Sequence, residues 1–431
     1  MTLKSQDAAS PVEAPAAGHP ATVVRPTTGR FKTFASLRHR DYRLLWVGTV
    51  VMSTGQWLQQ VVLSWIVFEM TGSAFMLGLI NGVRFLPFLF TSLIGGVLAD
   101  RVDRRRLMLW TQWYIFAVTL IMGLLFLADR VAVWHLFVFT FVSGAGWSLT
   151  MPVRQSIVPA LVPRSELLNA VALSSAAFNI TRTVGPAIGG FLLAAIGGGG
   201  TFLVQAALYL VVVAMLAAMR VPPIAAPPGG RTLSAWGSMV EGFRYIRATP
   251  VVGMLLVLGL VPMLLGMPYQ TLLPIFAADI YDIGPGGLGI LIGFAGLGSF
   301  LATLAVASAG DFQRKGLMQL LSLGALGVTL VLYSQIAWLP LALLVLIGVG
   351  AAQMGYSTLN QTQLQTITTD AMRGRVQSVY MLNVGLVPAG SFAAGAIAAL
   401  IGAPATVAIM GVLIAAVALL ALVRVKSMRE L

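Results

Sequence analysis

The chain has 431 residues, of which 58% are hydrophobic and only 10% charged, with a formal net charge of +13 and a mean hydropathy of +0.89. A soluble globular domain carries about a quarter charged residues, so the composition excludes that class and points to an integral membrane protein. The lack of cysteine rules out disulfides, thiol nucleophiles and zinc–thiolate sites; His19, His39 and His135 share no metal-ligand spacing; no phosphate-binding loop or dinucleotide fingerprint occurs, and no cofactor is expected.

Residues 1–40 are rich in Pro, Ala and Thr and read as a disordered cytoplasmic tail rather than a signal peptide. Apolar blocks long enough to cross about 30 Å of hydrocarbon as helix then recur to the end of the chain. They predict spans at 43–68, 76–99, 107–127, 133–153, 167–195 and 201–219, which form an N-terminal six-helix unit over 41–219. A linker follows at 220–249. Its Pro/Gly stretch from Val221 to Gly230 leads into Leu233, Trp236, Met239, Val240, Phe243 and Ile246, apolar residues at helical spacing beside basic ones. That pattern predicts an amphipathic helix lying at the membrane surface. Spans at 250–278, 287–309, 317–335, 338–360, 376–401 and 404–423 make a C-terminal six-helix unit over 250–424, with a short cytoplasmic tail at 425–431. The expected fold is therefore an all-α membrane protein of twelve transmembrane helices in two pseudo-symmetric bundles, with the lipid bilayer as its surroundings.

The basic residues are dispersed between the apolar blocks and form no single patch, so the charge does not indicate a nucleic-acid partner. Of the 27 Lys and Arg, 24 fall before span 1, after an even-numbered span, or after span 12. The opposite loops hold Arg130 with Glu69, Asp129, Asp279 and Asp282. Short cytoplasmic loops carry Lys and Arg in excess, so both termini are expected in the cytoplasm.

The two units repeat one another. Asp100 ends span 2 and is followed by Arg101, Arg104, Arg105 and Arg106; Asp311 ends span 8 and is followed by Arg314 and Lys315. Pro152 to Gln155 follow span 4 as Asn360 to Gln363 follow span 10, and Thr183 to Gly190 in span 5 parallel Val387 to Gly390 in span 11. Parallel repeats of this kind imply a path for a small molecule between the two bundles near the midplane.

The element Gly96-Val-Leu-Ala-Asp100-Arg101-Val-Asp103-Arg104-Arg105 resembles the loop signature Gly-x-x-x-Asp-Arg-x-Gly-Arg-Arg of the major facilitator superfamily, with Asp103 in place of a glycine. Gly185-Pro186 with Gly189-Gly190 resembles the core of its antiporter signature, although Thr181 stands where that signature has a further glycine. Leu37 to Trp46, Phe68 to Ser73 and Glu241 to Tyr245 are similar to the bacterial branch that contains macrolide efflux proteins and the enterobactin exporter. The resemblance covers about residues 37–424. It implies a monomeric secondary transporter of the bacterial inner membrane, not an enzyme. Such a protein exports a small amphipathic substrate (a drug, macrolide or siderophore) by alternating access with protons as coupling ion. A lipid or lysolipid flippase, or an uncoupled facilitator of the same fold, is the alternative.

Gating residues follow from these elements. Asp100 can accept charge-assisted bonds from Arg101 or Arg104, or cap a helix of the other unit, and Gly96 and Asp311 hold related places. Gly185, Pro186, Gly189 and Gly190 let two helices approach closely. Cavity residues follow from polar stripes: Gln56 and Gln60 with Ser53 and Ser64 on span 1, Asn81 and Arg84 on span 2, and Ser175, Asn179, Arg182 and Pro186 at i, i+4, i+7 and i+11 on span 5. The second unit adds Gln270, Gln353, Tyr356, Asn360 and Asn383, with Tyr380 beside them. An ionised side chain within a span costs at least about 2.5 kcal/mol and faces water or a partner. Arg84 and Arg182 therefore either line the aqueous cavity, favouring neutral or anionic substrates, or bond structurally to backbone carbonyls or Glu69. No carboxylate lies in the middle of a span; Glu69 and Asp279, near span ends, are the nearest candidates for proton coupling.

Overall fold

A computed structural model of the chain describes residues 34–84, 86–87, 103–221, 235–308 and 314–429. Among these residues every regular element is helical. The long α1 (Arg40–Thr71) ends at Gly72, whose left-handed backbone (φ 58°) turns the chain while its N–H bonds the Phe68 carbonyl at 2.7 Å. The helix α2 is described over Ala74–Arg84. Next come α3 (Arg104–Leu127) and α4 (Val133–Leu161). The element α5 (Leu167–Ala218) is two arms meeting at Gly197, where φ 67° and ψ −179° break the helix and suit a residue without Cβ.

After the surface helix α6 (Ala235–Ala248), the column Pro250–Ile280 combines α7 (Pro250–Val261), a π turn at Pro262–Gly266, α8 (Tyr269–Ile275) and a second π turn at Phe276–Ile280. The remaining helices are α9 (Gly284–Ser308), α10 (Lys315–Gln335), α11 (Leu339–Ile367), α12 (Asp370–Val384), α13 (Val387–Ile401), α14 (Ala403–Arg424) and the single turn α15 (Lys426–Arg429). Eight helical columns among the described residues are long and apolar enough to cross a membrane. The 32-residue α1 is long enough but is not one of them, because Ser53, Gln56, Gln59 and Gln60 lower its hydropathy. Exposed Trp110 and Trp113 near one end of the bundle, and Trp134 and Trp338 at the other, suit the two headgroup regions.

Several boundaries differ from those expected. Residues 34–40, assigned to the disordered tail, are folded: a 3₁₀ turn at Ala35–Arg38 buries Ser36, whose hydroxyl donates to Asn169 Oδ1 at 2.9 Å, and His39 pairs with Glu166 at 3.1 Å. At the other terminus Met428, assigned to the 425–431 tail, is fully buried. Both segments find partners in the bundle that composition alone does not reveal. Asp103, the departure from the loop signature, is the N-cap of α3 and accepts the Arg106 N–H at 2.8 Å. The helix α6 stands where amphipathic spacing predicts it, tied to α12 by a 2.6 Å Glu241–Arg375 pair. The rest of the Pro/Gly linker lies outside the described residues.

The apolar core shows how the helices are joined. At the end carrying the chain termini there are two separate cores. One is built from Tyr42, Leu45, Met108, Ile157 and Leu216, the other from Val252, Leu255, Leu320, Leu364 and Val379. At the far end a single core runs through both sets of helices, joining Leu58, Val62 and Leu193 to Tyr269, Leu288 and Leu326. Hydrocarbon tails are as apolar as leucine, so helices in a bilayer associate through close packing of small residues. Two such contacts cross between the sets at the far end. A Cβ at Gly78 of α2 would lie 2.8 Å from the Ser391 carbonyl oxygen and 3.0 Å from Gly395 Cα of α13; one at Gly289 of α9 would lie 2.6 Å from the Pro186 carbonyl oxygen and 3.2 Å from Gly190 Cα of α5. In the reverse direction Gly395 faces the Ala74 carbonyl at 2.6 Å, and Gly190 faces that of Pro285 at 2.5 Å. Leu77-Gly78-Leu79-Ile80-Asn81-Gly82 matches Leu288-Gly289-Ile290-Leu291-Ile292-Gly293. The two contacts are thus one arrangement used twice. Phe75 and Phe392 add an edge-on ring contact at 5.4 Å to the first.

A methyl group at Gly289 has nowhere to go but into the α5 backbone. Overpacking of this kind costs about 1–3 kcal/mol, so Gly289→Ala is expected to shift the population away from the far-end-closed state by roughly 5- to 150-fold. Maleimide labelling of an Ala74→Cys variant in this cysteine-free chain should accelerate accordingly; an unchanged labelling rate would show that the seal does not depend on this contact.

Candidate functional site

Where the far-end core stops, the helices part around a small cavity of about 40 Å³. Arg182 of α5 reaches it from one side; Met263 and Met267, Gln353 and Met354, and Tyr380 face it from the other. Local chemistry explains the placement. Pro186 has no N–H, which leaves the Arg182 carbonyl without its intrahelical donor and loosens α5 at the cavity wall. Opposite, the π turn at Pro262–Gly266 carries Met263 and is followed by Met267, which also lines the cavity. Gly259 leaves room beside α7 for two amides: Asn360 and Asn383 donate to the Leu255 and Leu256 carbonyls at 3.0 and 2.9 Å.

A second recess adjoins the first and shares Arg182 and Gln353 with it, adding Trp57, Tyr269 and Gln270. Gln353 is only 5% exposed, yet neither of its amide atoms has a hydrogen-bond partner. The same holds for the Trp57 indole N–H. Arg182 is half-buried, and among the described residues it has no ion-pair partner. Buried polar groups without partners each cost about 1–3 kcal/mol, so their concentration around one guanidinium marks a place prepared for a ligand or for water.

Arg84 sits apart in a recess within the first set of helices, with Gln56, Gln59, Ser143 and Tyr209. This wall is internally bonded: Gln59 donates to Ser143 at 2.9 Å, and Gln205 donates to Gln59 Oε1 at 2.8 Å and to the Gly55 carbonyl at 3.1 Å.

The expected cavity residues therefore divide. Arg182, Gln270, Gln353, Tyr356 and Asn360 meet at the central site, and Gln56 and Arg84 meet in the second recess. Asn383 is spent on the α7 backbone, and Asn81 bonds the Leu77 carbonyl of its own helix at 2.9 Å. Gln60 and Asn179 are half-buried and line neither site. Glu69 and Asp279 are exposed at the far end, away from both. Among the gating residues, Gly190 and the Pro186 carbonyl cross to the second set of helices, whereas Gly185 and Gly189 pack on Trp57 and Leu58 of α1. Arg104 opens α3; Gly96, Asp100, Arg101 and Asp311 lie outside the described residues. Sequence reasoning missed Trp57, Tyr269 and the three methionines, which no polar stripe marks, and the glycines at 78, 289 and 395.

Among the described residues, a helical bundle holds a largely apolar cavity with one arginine between two sets of membrane helices, an arrangement that suits a transport protein. The chain belongs to the major facilitator superfamily: the profile of its transmembrane secretion effector family matches residues 31–431. It is 27% identical over 364 residues to the staphyloferrin A transporter of Staphylococcus aureus, covering 83% of this chain and 89% of that one. It is 24% identical over 287 residues to macrolide efflux protein A of Streptococcus pyogenes, covering 66% and 71%. Its fold is similar to that of a bacterial homologue of the human lysosomal transporter Spinster, with a TM-score of 0.70 at 18% identity, covering 90% and 98% of the two chains. The protein is thus a multi-pass membrane transporter and not an enzyme.

Relieving the unpaired amide at the centre should separate stability from function. Gln353→Leu is expected to stabilise the ligand-free protein by about 1–3 kcal/mol, seen as a higher melting temperature, while weakening transport. A lower melting temperature would mean that Gln353 is bonded in the resting protein and is structural.

Proposed function

We propose that the protein exports small amphipathic molecules across a bacterial inner membrane by alternating access, as a monomer with both termini in the cytoplasm. In this reading the fold comprises twelve spans: α1, α2, α3, α4, the two arms of α5, the Pro250–Ile280 column, α9, α10, α11, α12 with α13, and α14. The first six form one bundle over 41–219 and the last six another over 250–424, joined by the 220–249 linker. The loop distribution of Lys and Arg puts the termini end in the cytoplasm, so the far end faces outward.

One observation carries the proposal: the core is continuous at the far end and divided at the termini end, around a cavity with a water-accessible arginine. That is the shape of a transporter closed to the outside and open to the cytoplasm. Rocking about the central site would break the glycine contacts and bring the cytoplasmic ends together, where Asp100, Arg101, Arg104 and Asp311 would make the opposite gate. The relatives named for a siderophore, a macrolide and multidrug efflux support export of amphipathic compounds.

Proton antiport is the coupling that the family likeness favours, with Glu69 and Asp279 as the carboxylates at the outer mouth. A second reading has a specific observation behind it: no carboxylate of the described residues lines the central cavity, which favours an uncoupled facilitator. Purified protein in liposomes loaded with a carboxylate siderophore decides between them. Efflux accelerated by an imposed pH gradient and abolished by a protonophore is expected; efflux indifferent to the gradient would select the facilitator, and movement of labelled phospholipid alone would replace export by lipid flipping.

A further inference from the structure

The export reading leaves the chemistry of the cargo open, and the groups left unpaired at the centre of the bundle restrict it. Around Arg182 stand the Trp57 indole N–H and the Gln353 amide, both buried and without a protein partner, with the buried Tyr269 hydroxyl beside them next to Gln270. Arg182 itself has no ion pair among the described residues. A guanidinium offers five N–H donors in a planar fork and no acceptor, an indole offers one donor, and a glutamine amide two donors with one acceptor. The unpaired groups are thus strongly biased toward donation, and they carry one uncompensated positive charge. Structural use of Arg182 would require a carboxylate or a set of carbonyls to take up its charge; instead the residue is half-buried and lines two adjoining recesses. Arg84 offers no such opening, because the Gln59, Ser143 and Gln205 side chains around it are bonded to one another.

We infer that Arg182 and Gln353 form a recognition site for a carboxylate, and that the protein's cargo is an amphipathic organic acid. The planar fork of Arg182 takes both carboxylate oxygens, and the Gln353 amide, Trp57 and Tyr269 complete their coordination. The apolar body of the cargo lies against Met263, Met267 and Met354, whose unbranched thioethers adapt to different shapes. The acid group is therefore the constant element of recognition and the apolar part the variable one. Cationic amphiphiles are excluded by the same charge. An anion also gains from export, since an inside-negative potential drives it outward.

The inference rests on the export reading for its meaning but is tested by binding alone. The full chain in lipid nanodiscs is titrated with 1-naphthoate, its methyl ester, 1-naphthyl phosphate and (1-naphthylmethyl)trimethylammonium, with empty nanodiscs as the blank. The acid is expected to bind about tenfold or more tighter than the ester, as loss of a charge-assisted pair implies, and the cation not at all. Arg182→Gln should bring acid and ester together, Arg182→Lys should keep part of the preference, and the exposed loop variant Arg130→Gln should keep all of it. Equal affinity for acid and ester in the unaltered protein, a requirement that needs no variant to fold, would overturn the site. So would tighter binding of the phosphate than of the acid, or of the ammonium than of the ester. Absence of vesicle export alongside an Arg182-dependent preference for the acid would sink the export reading and leave the site standing.

Discussion

Among the described residues, helix backbones of the two sets meet across the far end without intervening side chains at two places, α2 on α13 and α5 on α9, and the closed form of the protein depends on those contacts. In a bilayer no hydrophobic force draws helices together, so close approach and the dispersion and Cα–H contacts it permits must supply the attraction. The contact between Gly78 and Gly395 and that between Gly190 and Gly289 supply it between the two sets of helices. Each pair involves the equivalent carbonyl on its partner helix, so the contacts are a two-fold repeat at the level of atoms. A joint with so little side-chain interdigitation can close tightly and still come apart.

The seal and the cavity are parts of one helix. On α5 the Gly190 contact, Pro186 and Arg182 follow one another at intervals of a turn, and the α9 approach continues down to Thr183, where a Cβ at Gly296 would lie 2.8 Å from Thr183 Cα. A ligand that pulls on Arg182 therefore acts within one turn of the joint, at a point where proline has removed an intrahelical bond. In the proposed export cycle, this short segment would couple occupancy of the centre to the strength of the seal, with no long pathway between distant sites. Across the cavity the π turn at Pro262–Gly266 plays a corresponding part: a Cβ at Gly390 of α13 would lie 2.5 Å from the Leu264 carbonyl oxygen. Both walls of the site are thus the locally softened stretches of their helices.

Much of this was legible in the sequence, in proportion to how far each feature depends on helical period. The stripe of Asn179, Arg182 and Pro186 lies on a regular helix, so spacing put Arg182 on a polar face with lining and structural roles both open, while the family resemblance of the Gly185 to Gly190 element, rather than its spacing, pointed to a close helix contact. The partner glycines were hidden because Gly78, Gly289 and Gly395 are three among 46, and only the likeness of residues 77–82 to 288–293 distinguishes two of them. Met263 and Met267 escaped because a π turn shifts the register that a period of 3.6 projects. Asn383 looks like a cavity residue on a helical wheel, yet the missing side chain at Gly259 draws its amide onto the α7 backbone, whereas Asn360 bonds that backbone and still lines the cavity. Asp103 reads as a defect of a signature and serves as a helix cap, a role that needs only the next three residues.

The central claim is that the glycine joint at the far end opens as the parted end closes. Pulsed electron–electron distance measurements on the protein in liposomes address it directly, with spin labels on Ala128→Cys and Trp338→Cys at the far end and, separately, on Ser165→Cys and Thr369→Cys at the termini end. Two distance populations are predicted at each end, with transport conditions lengthening the far-end distance and shortening the other in equal proportion. A far-end distance that stays single and short while substrate is transported would contradict the account.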